Sequence, residues 1–97
     1  MDYEALGRYT AGLETLRKLE SERDKLIVKL IDGFRGIFGK DTGLSRFYLI
    51  ETFSMQELLK EIETLNSEIG KVATEVNYFA EKCEKPKINL EVVEWKD

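Results

Sequence analysis

The sequence predicts a mainly α-helical fold, in which two long helices form an antiparallel hairpin of the coiled-coil type and assemble into an oligomeric helical bundle. Apolar residues recur at alternating steps of three and four through the second half of the chain, which places them on one stripe of a helix. A less regular stripe runs through the first half. The chain is 42% apolar and 35% charged, so we expect one helix-rich domain over residues 1–97.

The first helix is expected at about residues 2–36. Asp2 is a good N-cap residue, and glycines accumulate from Gly36 onward, where they permit a left-handed stop. Gly7 and Gly12 lie inside this helix, where each costs about 1 kcal/mol relative to alanine. Their presence indicates close contact with another helix or fraying near the N-terminus; a ligand that approaches the backbone is the alternative.

The apolar stripe of the first helix is interrupted near its middle. Glu20 and Arg23 occupy two positions where the spacing calls for apolar residues. Leu19 and Leu26 lie one position earlier on either side of this break, so the stripe can shift sideways and stay continuous. We interpret the break as an irregular packing face; a buried polar pair that sets the helix register is the alternative.

The connection between the helices, residues 36–53, is too long for a tight loop and too apolar for a plain linker. Residues 46–51 are rich in aromatic and β-branched types, which predicts a short strand. Asp41, Thr42 and Gly43 match the triplet of aspartic proteases. That site requires a preceding apolar strand in an all-β fold, so a turn is predicted here instead.

The second helix is expected at residues 54–84. Ser54 and Glu57 have the spacing of a capping box, in which each side chain accepts a hydrogen bond from a free amide of the first turn. Pro86 is expected to end the helix. Both helices would then be roughly 45–50 Å long, so they can fold back on one another.

The seam of the second helix is the strongest pattern in the sequence. A lone apolar stripe is unstable in water and requires a partner helix, and a chain this short buries only a modest share of its surface. We therefore predict a homodimer or a higher oligomer that buries this seam. Its residues are Met55, Leu58, Ile62, Leu65, Ile69, Val72, Val76 and Phe79.

The tail, residues 87–96, alternates apolar and polar residues and predicts a second strand. In a long hairpin the two predicted strands lie at opposite ends, so we expect them to pair between the subunits of an antiparallel dimer. Aromatic and apolar residues off the seam form the candidate surface for a protein partner. They are Tyr48, Tyr78, Ile88, Leu90, Val92 and Trp95.

Charge and composition exclude several classes of function. The net charge is −4; residues 1–50 carry nine basic against eight acidic side chains, and residues 51–84 carry three against eight. Basic residues are interspersed with acidic ones, so a nucleic-acid surface is not expected. No stretch approaches the length of a membrane span, and the N-terminal residues lack the pattern of a secretory signal.

The side chains that most often carry chemistry are scarce. The chain has no histidine and a single cysteine, Cys83, so we expect no catalytic residues, no metal site and no cofactor. A single cysteine is typical of a reducing compartment, which predicts a cytoplasmic protein.

These observations favour a non-catalytic, oligomeric protein–protein interaction module of the adaptor or inhibitor type, such as small accessory proteins of phages and other mobile elements. A helical hairpin with strand-forming sequence in its connection resembles a prefoldin-like chaperone subunit, which is the first alternative. The second is an oligomer that sequesters a small ligand such as a nucleotide, at a subunit seam lined by Arg8, Tyr9 or Arg46.

Overall fold

Two long helices pack against each other as a hairpin in the computed structural model, which describes residues 2–38 and 43–96. Helix α1 spans Tyr3–Ile37 and helix α2 spans Phe53–Cys83. The hairpin is elongated, with extents of 72 × 22 × 16 Å. The predicted mainly helical hairpin is confirmed in this coarse form. Asp41 and Thr42 of the predicted turn lie outside the described residues.

Helix α1 begins where its cap predicts. The Asp2 carboxylate accepts a hydrogen bond from the Ala5 amide at 3.0 Å, so one free N–H of the first turn is satisfied. The last turn closes with the Phe38 amide donating to the Phe34 carbonyl at 3.3 Å. The helix therefore runs almost without interruption to the connection.

Helix α2 is capped differently from the prediction. The Glu51 carboxylate, three residues before Ser54, accepts a hydrogen bond from the Ser54 amide at 2.9 Å. Thr52 occupies the cap position without a side-chain cap bond, and Glu57 pairs with Lys60 instead of reaching back. The predicted capping box of Ser54 and Glu57 is wrong, because the helix starts before Ser54 and a longer side chain upstream reaches the free amide.

The end of α2 carries an unusual backbone conformation. Glu84 adopts the left-handed region, with φ 57° and ψ 40°, which L residues with a Cβ rarely occupy. Its amide and that of Lys85 both donate to the Ala80 carbonyl, as in a Schellman-type C-cap. This turn directs the chain back toward the hairpin just before Pro86.

The fully buried side chains that the structure describes lie toward the end of the hairpin that carries the chain termini. They are small: Ala5 on α1, and Ala73, Val76, Ala80 and Cys83 on α2. A methyl group added to Gly12 would collide with Cγ2 of Val76, whereas one added to Gly7 would meet open space. The interpretation of close helix contact therefore holds for Gly12 and not for Gly7.

The break in the α1 stripe is resolved by a sideways shift. Leu19 and Leu26 are half-buried, whereas Glu20 is exposed. Arg23 is also half-buried, and its guanidinium donates a hydrogen bond to the Asn66 side-chain oxygen of α2 at 3.3 Å. Apolar packing thus continues past the break, with a polar bridge between the helices beside it.

Neither predicted strand forms in the part of the chain that the structure describes. Residues 46–51 and 87–96 are extended or irregular, and no backbone of a neighbouring strand lies beside them. A strand needs hydrogen bonds from a second strand, and the two segments belong to opposite ends of the hairpin. Neither described helix has the long uncharged apolar stretch that crossing a bilayer requires.

Candidate functional site

The tail is held against the hairpin by side chains from both helices. The Tyr9 hydroxyl of α1 donates to the Pro86 carbonyl at 3.1 Å. The Asn77 carboxamide of α2 donates to the Ile88 carbonyl at 3.1 Å and accepts from the Ile88 amide at 2.6 Å. We call Tyr9 and Asn77 the tail clamp. A carboxamide offers a donor and an acceptor side by side, so Asn77 satisfies both backbone groups of Ile88 as a neighbouring strand would.

A third contact joins the tail to α2 beside the clamp. The Lys87 ammonium hydrogen bonds to the Glu81 carboxylate. This hydrogen bond, together with the positive charge, holds the pKa of Glu81 below its ordinary value. Both side chains are exposed, so the pair orients the tail more than it stabilises the fold.

Beyond the clamp, three apolar side chains of the tail are largely exposed. Val92 is 89% exposed, Val93 is 94% exposed and Trp95 is 88% exposed. The tail therefore has an anchored part, up to Ile88, and an exposed apolar part that follows. Exposed apolar side chains on a segment whose start is fixed are typical of a surface that meets another protein.

A second exposed apolar surface lies on the half of the hairpin near the connection. Ile27 is 37% exposed, Ile31 is 43%, Phe34 is 40% and Leu59 is 50%. We call these four residues the apolar stripe. The first three follow one another at steps of four and three on α1, so they lie within about 60° on one helix face.

The apolar stripe and the tail lie on the same side of the hairpin. Tyr9 and Asn77 bind one short tail segment, so they define a tail-bearing side. Ile27 follows Tyr9 by 18 residues, and Leu59 precedes Asn77 by 18 residues. Eighteen residues are five full helical turns, so each pair shares one face of its helix. One half of this side carries the tail, and the other half carries the stripe.

The connection adds further exposed apolar side chains. Leu44, Phe47 and Leu49 are almost fully exposed, and Phe38 and Phe53 flank them. Arg46 donates its amide to the Gly43 carbonyl at 3.0 Å, which forms a turn just before this segment. The connection therefore presents separate, exposed apolar side chains at one end of the hairpin, and we call Leu44, Phe47 and Leu49 the apolar tip.

The residues of the predicted oligomer seam pack between the two helices of one chain. Val76 is buried by α1, and the other predicted seam residues are half-buried. Cys83 at the end of the seam is a buried free thiol. Burial of the seam between subunits stays a prediction.

The predicted partner-surface residues are not brought together. Tyr48 lies in the connection, at the opposite end of the hairpin from the clamped Ile88. Tyr78 packs edge-on against Phe79, with ring centroids 5.1 Å apart. Its hydrogen bond with Lys82 raises the pKa of that lysine, whose ammonium lies 4.7 Å from the Tyr78 ring centroid. Leu90, Val92 and Trp95 share the tail with Ile88, so the tail is the part of this prediction that forms one surface.

The residues proposed for a small-ligand site are also separate within one chain. Arg8 pairs with Glu4 at 3.4 Å and lies 5.5 Å from the Phe79 ring centroid. The Tyr9 hydroxyl is hydrogen-bonded to the tail, and Arg46 lies in the connection. The grooves between the helices are open; one of about 510 Å³ lies between Lys25 and Glu61.

Sequence reasoning missed two of the residues that organise this surface. Asn77 stands directly after a seam residue inside a helix, where asparagine is a poor helix former. A poor helix former inside a helix was the signal in the sequence that this side chain has a role outside the helix. Glu84 gave no signal, because glutamate carries no preference for the left-handed region.

Comparisons with protein-family models, with curated proteins and with solved structures find no match to this chain. The exposed apolar side chains of the described residues lie mainly in the anchored tail, the apolar stripe and the apolar tip. Among the described residues, no group of three or more cysteine, aspartate and glutamate side chains is placed to hold a metal ion.

Proposed function

We propose that this chain is a non-catalytic protein–protein interaction module that works as an oligomer. The observation that carries the proposal is the distribution of exposed apolar side chains. On the helices of the terminal half, the large ones are Tyr3 and Tyr78, whose rings have polar tips. The half near the connection exposes the apolar stripe and the apolar tip. Apolar side chains exposed in such number on a small protein favour a binding surface, because leaving them in water is unfavourable.

The tip is the part of this surface that we assign to a target protein. Leu44, Phe47 and Leu49 project from a connection with little regular structure. Apolar and aromatic side chains on a short segment at the end of a rigid rod can enter a groove of a partner with little steric hindrance. This geometry supports an adaptor or an inhibitor, which acts by binding another protein and not by catalysing a reaction.

Self-association is the second part of the proposal. Most seam residues are only half-buried by α1, so a further helix surface against the hairpin would complete their burial. Residues 46–51 and the tail have strand-forming sequence, and a second chain could supply the backbone neighbour that they need. We place this oligomer in the cytoplasm, since its one cysteine suits a reducing compartment. Accessory proteins of phages and mobile elements are the class with this size and character.

Two measurements test the proposal. Light scattering at micromolar concentration should give at least twice the 11.3 kDa mass of the chain. Capture from a host lysate should retain a defined protein with the wild type and lose it with Phe47→Ser/Leu49→Ser. Tyr3→Ser is the matched control, since it removes an exposed aromatic ring from the opposite end and should retain the target. A monomeric mass, or equal capture by both variants, contradicts the proposal.

The alternative functions predict different results. A prefoldin-like chaperone would suppress aggregation of several unrelated unfolded proteins, and the exposed apolar tip is the observation that favours it. A nucleotide-sequestering oligomer would give saturable heat in calorimetry with a nucleotide panel. An interaction module with one target gives neither result, so an aggregation assay and a calorimetric titration separate the three classes.

A further inference from the structure

We propose that two copies of this chain exchange their tails, so that residues 86–88 of each copy are held by the tail clamp of the other. The segment seated on the clamp within one chain identifies what the clamp binds, and a second copy supplies the same segment. This inference rests on the proposed function, which holds that the chain is an oligomer, and it names one contact between the copies.

The tail clamp binds the backbone of an extended segment. Asn77 pairs with both the amide and the carbonyl of Ile88, and the Tyr9 hydroxyl donates to the carbonyl of Pro86, two residues earlier. The Ile88 side chain is half-buried where it is held. All three hydrogen bonds are made to residues 86–88, so the same segment of a second copy can make every one of them.

The turn that brings the tail onto its own clamp is short and strained. Only Glu84 and Lys85 separate the end of α2 from Pro86. Glu84 has φ 57° and ψ 40°, a conformation that a residue with a Cβ rarely adopts. A short hinge under strain favours exchange of the following segment between copies, because an extended hinge relieves the strain while the contacts of the segment are kept.

The direction of the tail fits an exchange between two copies that meet end to end. Within one copy the chain reverses at Glu84, so residues 86–88 run back along α2, away from its last turn. If Glu84 is extended instead, the tail continues past the end of α2. In a second copy related by a two-fold axis across this end, α2 points the opposite way. The continuing tail therefore runs along that α2 in the same direction as the tail that it replaces.

The segment between α2 and Ile88 is long enough to reach the clamp of the second copy. Asn77 lies six residues before Cys83, the last residue of α2, and six residues of helix rise about 9 Å. Residues 84–88 span at most about 17 Å when they are extended. The difference leaves about 8 Å for the gap between the two helix ends, so the copies can meet without any change to the helices.

A disulfide between two chains tests the exchange directly. The Lys87 side chain contacts Glu81, so cysteines at these two positions meet wherever the tail is clamped. Chains with Glu81→Cys and chains with Lys87→Cys, both in a Cys83→Ala background, are refolded together at a concentration where the protein is a dimer, and then oxidised. A linked pair of the two different chains is expected. Lys71→Cys in place of Glu81→Cys should give none, since it lies about 15 Å further along α2.

The hinge residue gives a second test, with two opposite changes. Glu84→Gly removes the strain of the closed turn and should raise the dissociation constant of the dimer about tenfold. Glu84→Val should lower it by about threefold, because a β-branched side chain is disfavoured at positive φ more strongly than glutamate. Sedimentation equilibrium measures both constants. Equal constants, or a tighter dimer for Glu84→Gly, overturn the exchange.

One chain that carries both cysteines is the positive control for the disulfide. When it is dilute, it should form the link between positions 81 and 87 within the chain, because the tail then returns to its own clamp. A native dimer that gives no link between the two singly substituted chains overturns the exchange and leaves the proposed function standing. A monomer at every concentration overturns both.

Discussion

The same spacing of apolar residues gives different packing in the two halves of the hairpin. In the terminal half, alanine, glycine and valine let the helices approach until Ala73, Val76 and Ala80 are excluded from solvent. In the half near the connection, larger residues occupy the corresponding positions and stay partly exposed, as Phe34 and Leu59 do. We infer that side-chain size along the seam decides whether the apolar residues are buried within one chain or stay exposed for a second chain to cover.

The largest effect should come from a charge placed in the closed half. Val76→Asp buries an unpaired carboxylate between the helices and should cost about 3–5 kcal/mol of unfolding free energy. Val28→Asp, in the open half, should change it by less than about 0.5 kcal/mol because Val28 is exposed. Urea denaturation followed by circular dichroism measures both, and equal losses would show that the halves do not differ in packing.

A smaller and opposite pair of effects is expected from two glycines of α1. Gly12→Ala should destabilise the hairpin by about 1–3 kcal/mol, since its methyl group collides with Val76. Gly7→Ala should stabilise it by up to about 1 kcal/mol, since its methyl group meets open space and alanine favours the helix. Thermal unfolding should therefore shift down for one variant and up for the other. A rise for Gly12→Ala would contradict the close approach of the helices.

The two ends of α2 should respond to changes in their caps. Glu51→Ala removes the side chain that accepts from the Ser54 amide and should cost about 0.5–1 kcal/mol. Ser54→Ala should cost much less, because its hydroxyl caps nothing. At the other end Glu84→Gly should stabilise by about 1 kcal/mol, since glycine adopts the left-handed conformation freely. A larger loss for Ser54→Ala than for Glu51→Ala would restore the capping box.

The smallest effect is the pH dependence of the Glu81–Lys87 pair. The hydrogen bond to Lys87 lowers the pKa of Glu81 in the folded chain. The contribution of this pair to the free energy of unfolding is therefore present above the ordinary pKa of 4.5 and is lost as the pH falls through the lowered pKa. The difference in melting temperature between wild type and Lys87→Gln should therefore shrink below pH 4.5. A difference that stays constant down to pH 2 would exclude the pair as its source.

The parts of the fold that depend on local sequence could be predicted. The spacing of apolar residues gave both helices, and the Asp2 cap gave the start of α1. The cap of α2 was misassigned because Glu51 and Ser54 both could serve, and the choice depends on the path of the chain into the helix. The strands were predicted from composition, but a strand also requires a neighbour that a single chain of this shape does not supply.

The candidate site was less accessible to sequence reasoning than the fold. The tail clamp joins Tyr9 and Asn77 to residues 86–88 through a turn at Glu84, and no glycine marks that turn. The apolar stripe could not be distinguished from core, since Ile27, Ile31 and Phe34 have the spacing of a buried helix face. Their exposure follows from which side of α1 faces α2, since Leu26 and Leu30 are half-buried there, and the packing of the two helices decides that.

Hydrogen exchange at two protein concentrations compares the two halves directly. If the half near the connection carries surface for a second chain and the terminal half closes within one chain, only the former should respond to concentration. Amides of residues 27–34 and 56–62 should exchange more slowly at high concentration than below the dissociation constant of the dimer, whereas those of residues 73–80 should exchange at the same rate in both. Concentration-independent exchange in residues 27–34 and 56–62, or slowing confined to residues 73–80, would contradict the account.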